Sequence, residues 1–158
     1  MDFRKLLLLA AGLALLAYAR QDLGRDQLAL FQDASGWELL SITDANNGFE
    51  TQHTCFDKAE TGQCRGNLTF RRDRTFLQSV TVGSKSLNRH GSYELAGNSI
   101  TFLDEFGTKD GPYSLDLNLD AKTLKIETRQ AGVVVKMDLL LETEYRKRLQ
   151  DQKKKSGK

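Results

Sequence analysis

From Gly36 to Leu141 apolar and polar side chains alternate with a period of two, and short turn-forming stretches break the alternation repeatedly. GWELLSI sets Trp37 and Leu39 on one face, and CRGNLTF sets Leu68 with Phe70. Beyond an Asp73-Arg74 turn, TFLQSVTV continues the apolar face with Phe76, Val80 and Val82. In GSYELAGNSITF the Gly97-Asn98 pair joins two runs whose Tyr93, Leu95, Ile100 and Phe102 point one way, the mark of a tight hairpin. After a gap at Gly107–Gly111, Pro112 opens PYSLDLNLD, where Tyr113, Leu115, Leu117 and Leu119 alternate with Ser114, Asp116, Asn118 and Asp120. A turn at Asp120-Ala-Lys122 leads to TLKIET. A second turn at Gln130-Ala-Gly132 leads to VVVKMDLLLE, with Val133, Val135, Met137, Leu139 and Leu141 together.

Half-polar strands of this kind bury one face and wet the other. A run of eight or nine leaves open edges unless the sheet closes on itself. The expected fold is therefore all-β, an antiparallel up-and-down β-barrel of about eight strands, with a two-sheet sandwich as the second solution. Residues 44–63, rich in Asn, Gly and Thr, read either as a strand or as a long loop over the barrel mouth.

Three segments depart from the period of two. Asp22–Ala34 has helical spacing, with Leu23, Leu28, Leu30 and Phe31 on one side. ETEYRKRLQDQKKKSGK places Glu142/Arg146 and Glu144/Arg148 one helical turn apart before it runs into lysines. At the start, basic Arg4-Lys5 precedes an apolar run, Leu6–Ala19, that ends in the small-x-small triplet Ala17-Tyr18-Ala19. As a helix these 14 residues would span only about 21 Å, short of a bilayer core of about 30 Å. A cleaved secretory signal is the expectation, with an uncleaved anchor as the alternative. The division that follows is a signal over 1–19, a short N-terminal helix over 20–35, the barrel over 36–141 and a helical basic tail over 142–158.

Charge sharpens this division. Arg146–Lys158 holds seven basic and one acidic side chain, whereas Arg20–Tyr145 holds 14 basic and 19 acidic. An acidic body argues against a nucleic-acid partner. The tail reads either as a solvated terminus or as a contact for anionic lipid headgroups through Lys153, Lys154 and Lys155. Export to the periplasm or beyond would make Cys55 and Cys64, which flank the polar stretch FDKAETGQ, a disulfide closing a local loop. A metal site from His53, Cys55 and Cys64 is the alternative, but it lacks a fourth ligand.

The chain has no GxSxG, HExxH, Walker or GxGxxG pattern, so neither a cofactor nor a resident metal is expected and the protein reads as a non-enzyme. Asp104, Glu105 or His90 at a barrel rim would be the candidates for an enzymatic reading. The apolar faces carry the more informative chemistry. Trp37, Phe70, Phe76, Tyr93, Phe102, Tyr113 and Met137 either fill the barrel as core or line a pocket for a small hydrophobic ligand.

GWELLSI, LTFRRDRTF, GSYELAGNSITF and the closing TLKIET and VVVKMDLLLE together resemble the bacterial lipocalin-like domains over about residues 35–141. The resemblance matches Gly36-Trp37 to the opening strand, whose Trp closes one end of the barrel. It matches Gly91, Tyr93, Gly97 and Asn98 to the third hairpin. It implies a non-enzymatic barrel that binds or carries a small apolar molecule. A filled barrel acting as an envelope interaction module, through loops or tail, is the rival expectation.

Overall fold

A computed structural model describes residues 23–46, 49–56, 64–130 and 133–156. The signal-type run Leu6–Ala19 and the turn at Ala131-Gly132 lie outside the described residues. In chain order the elements are α1 (Arg25–Phe31), β1 (Trp37–Asn46), β2 (Phe49–Thr54), β3 (Cys64–Phe70) and β4 (Thr75–Val82). Then come β5 (Lys85–Ala96), β6 (Ser99–Asp104), β7 (Lys109–Asn118), β8 (Thr123–Gln130), β9 (Val133–Leu141) and α2 (Glu142–Ser156).

All strand pairings are antiparallel, and β9 returns to pair with β1, so eight strands, β1 and β3 to β9, close a barrel. The segment 44–63 supplies β2, which pairs with the second half of β1 from Ser41–Thr54 to Asn46–Phe49. The β1–β3 seam is short: only Trp37–Leu68 and Glu38–Asn67 pair across it. Where those strands part, the Cys55–Cys64 disulfide joins the end of β2 to the start of β3, with Cα atoms 4.6 Å apart. Both cysteines are buried, and their bond removes the thiolates that a metal site with His53 would need.

Local chemistry explains most turns. Gly97, at φ 58°, supplies the positive φ of the β5–β6 hairpin. Asp73 accepts hydrogen bonds from the Thr75 amide and hydroxyl, which frees Arg74 to take φ 66°. Asn118 receives the Ala121 amide and shapes the β7–β8 turn. Two strands differ from the sequence reading. β5 begins at Lys85, so SLNRH is strand. β7 begins at Lys109, so Pro112 lies inside it and does not open it. Pro112 is tolerated because Gly111 and Pro112 together stand opposite Thr101, a bulge between the Ile100 and Phe102 pairings. A second bulge at Leu40 shifts the inward set of β1, so that Leu39 faces Leu139 and then Ile42 faces Met137.

The core is aromatic at one end. Phe31, from α1, stacks on Phe70 with ring centroids 4.0 Å apart and meets Tyr93 edge-on at 5.7 Å. Phe102 links Phe70, Phe76 and Tyr113 through contacts at 6.2, 4.8 and 5.7 Å. The Trp37 indole N–H donates to the Phe31 carbonyl at 3.0 Å, which ties the end of α1 to the first barrel strand. Helix α2 leaves from the same end. Its Glu142 amide donates to Gly36 O at 3.0 Å, and Tyr145 packs edge-on against Phe56 at 5.1 Å. Glu142 pairs with Arg146 as the spacing suggests, but Glu144 reaches Lys122 of the β7–β8 turn at 3.4 Å.

Candidate functional site

The strand register sorts the inward residues into two layers. Trp37, Phe70, Phe76, Tyr93 and Phe102 are each no more than 2% exposed and form the aromatic layer. Their polar atoms are matched. Tyr93 donates its hydroxyl to Arg71 O at 2.8 Å and receives the Gln32 amide at 2.6 Å. Tyr113 and Met137, the other two residues singled out from the sequence, lie at the boundary with a second, polar layer.

That second layer comes from β4, β5 and β7. Gln78 stands directly opposite Arg89, and Asp110 directly opposite Phe102, so all of these share the inner face. Arg89 Nη1 lies 2.7 Å from Asp110 Oδ2. The Tyr113 hydroxyl donates to the other carboxylate oxygen, Oδ1, at 2.5 Å. The guanidinium also sits 5.7 Å from the Phe102 ring centroid, where the cation meets the face of the aromatic layer. Burial, the hydrogen bond to Asp110 and the charge of Asp110 push the Tyr113 phenol up to about 12, so it stays a neutral donor.

Gln78 is the exception to this balance. The residue is 8% exposed, and its side chain crosses the lumen, where Nε2 lies 3.8 Å from Met137 Sδ on β9. A thioether sulfur only accepts, so the group facing it is the NH2. Gln78 Oε1 is then left buried, and among the described residues it is the one such side-chain atom without a hydrogen-bond partner. Beyond it the described inward positions are less buried. Leu87 pairs with the buried Val80 on the same face, yet Leu87 is 49% exposed. Among the described residues, rings thus fill the barrel at one end, while at the other Gln78 and Met137 lie beneath inward positions that are partly exposed.

The residues considered for an enzymatic reading do not converge. His90 pairs with Leu77, facing away from the lumen, and lies 3.5 Å from Glu105 in an exposed pair. Asp104 receives the Phe106 and Thr108 amides, which hold its carboxyl below the usual range. A separate groove of about 610 Å³ runs outside the barrel between α1 and β3–β4, bordered by Ala29, Asp33, Arg71, Arg72 and Leu77.

The sequence reading missed Gln78, Arg89 and Asp110. Gln78 was recoverable, because it occupies the alternate position between Phe76 and Val80. Comparison with known proteins adds no relative: no protein-family model, curated protein or solved structure matches this chain.

Proposed function

We propose that this chain is an exported, non-enzymatic, lipocalin-like binding protein that holds a small, mainly apolar molecule in the open half of its barrel. Tyr113 and Met137 line that site with Gln78, Arg89, Val80 and Leu87, and the aromatic layer forms its closed base. The observation that carries the reading is the buried, unpartnered Gln78 Oε1 beneath the half-exposed inward Leu87, which together would form the floor and wall of such a cup. An acceptor left in that state costs about 1–3 kcal/mol, and a bound molecule or water would recover it. The leader-type segment Leu6–Ala19 and the Cys55–Cys64 bridge support export.

Native mass spectrometry of the protein recovered from the exported fraction tests the reading. The expected result is a released small molecule of defined mass on mild denaturation. An apo mass, with no uptake from a panel of apolar compounds, would leave the rival module, acting through α2 and the exposed Lys154 and Lys155 of its last turn.

A further inference from the structure

Resting on that binding reading, we infer that the cup selects a neutral ligand bearing a hydrogen-bond donor, an aliphatic alcohol or primary amide, over a carboxylate. Four observations define the chemistry at the floor. Among the described residues the one buried side-chain atom without a partner, Gln78 Oε1, is an acceptor, so the group that completes it must carry an O–H or N–H. Arg89, the cation beside Gln78, is already neutralised by Asp110 at 2.7 Å, and Lys85, opposite Val82, stands exposed nearer the mouth. The Tyr113 hydroxyl has committed its proton to Asp110, which leaves its oxygen lone pairs as further acceptors. Asp104, opposite Gly91 on the inner face, adds negative charge near Arg89.

A carboxylate entering this cup brings acceptors to acceptors and displaces Asp110 to gain a cation. An alcohol or amide brings the missing proton and no charge. The walls suit an aliphatic body: Met137 at the floor and Val80 and Leu87 along one side are apolar and unbranched by further polar groups. The ligand class is therefore a neutral aliphatic molecule whose donor-bearing head enters first and whose apolar body faces the mouth.

The test is calorimetric titration at pH 7.5 with 1-decanol, decanamide and decanoate, on the wild-type chain and on Gln78→Met. The expected result is at least about tenfold tighter binding of the alcohol and amide than of decanoate, as an unmatched buried group implies. Gln78→Met, which keeps the length and removes the acceptor, is expected to weaken the alcohol and the amide by at least about tenfold relative to decanoate and so abolish that preference. Decanoate binding as tightly as decanol, or a preference that survives in Gln78→Met, overturns the donor inference and leaves the binding reading standing. No heat from any of the three, with no displacement of an apolar fluorescent probe, removes the binding reading itself. Should Gln78→Met not fold, the Gln78 side-chain amide resonances of the wild-type protein give the answer. They shift with decanol and not with decanoate if the inference holds, and the reverse pattern refutes it.

Discussion

The two ends of this barrel are built from the same alternation and finished differently. At the closed end every described polar group among the rings has a partner: Trp37 donates to Phe31 O, and Tyr93 sits between Gln32 and Arg71 O. At the open end Arg89, Asp110 and Tyr113 satisfy one another, yet Gln78 Oε1 is buried with none and Leu87 is half in water on an inward face. Stability is concentrated where rings fill the lumen, and the other half carries the unmet acceptor and the partly exposed Leu87. That difference distinguishes the two halves more clearly than hydrophobicity does, because both contain apolar inward residues.

The largest effect should come from breaking the closed end. Phe70→Ala removes the ring that contacts Phe31, Tyr93 and Phe102, and should cost about 3–5 kcal/mol in chemical denaturation. A loss below about 1 kcal/mol would mean that the two halves are not energetically distinct. Next is the seam: with only two residue pairs joining β1 to β3, removing the disulfide by Cys55→Ala with Cys64→Ala should cost about 2–3 kcal/mol. Denaturation of the wild-type protein with and without reductant checks this without mutation.

A paired substitution tests the contrast itself. Gln32→Met at the closed end strips Tyr93 of a donor and should destabilise by about 1 kcal/mol, whereas ligand-free Gln78→Met should be neutral or stabilising. Equal losses at both positions would contradict the distinction. The smallest effect concerns Glu38, on the outer face beneath α2. Burial, then the nearby Glu142 charge, raise its carboxyl from 4.5 to about 7. A raised acid binds its proton more tightly in the folded state, so its contribution is fully present below about pH 4.5 and is lost as pH rises to about 7. Glu38→Gln should flatten the fall in stability across that window, as followed by thermal melts at stepped pH.

The closed end was legible in the sequence because Trp37, Phe70, Phe76, Tyr93 and Phe102 are apolar at alternate positions, and burial follows from that pattern directly. The other end was legible only in Val80 and Met137, because Gln78, Arg89 and Asp110 are polar inward residues that mimic a solvent face. Arg89 lies in SLNRH, which reads as loop until Gln78–Arg89 pairing is seen. Asp110 was hidden in the Gly107–Gly111 gap, since a strand that carries a Gly-Pro bulge looks broken in one dimension. The β1–β2 pairing was open for a similar reason: DANNGFETQHT offers few apolar residues to set a face.

Met137 and Trp37 allow the central claim to be read at both ends of the barrel at once. The chain has two methionines and a single tryptophan, so a ¹³C-methyl label on Met137 and the Trp37 indole N–H give assignable signals. Titration with decanol or a related apolar compound should move the Met137 methyl in a saturable way and leave the Trp37 indole in place. A Met137 signal that stays fixed while Trp37 shifts, or two signals unmoved at millimolar ligand, would contradict a binding site in the open half.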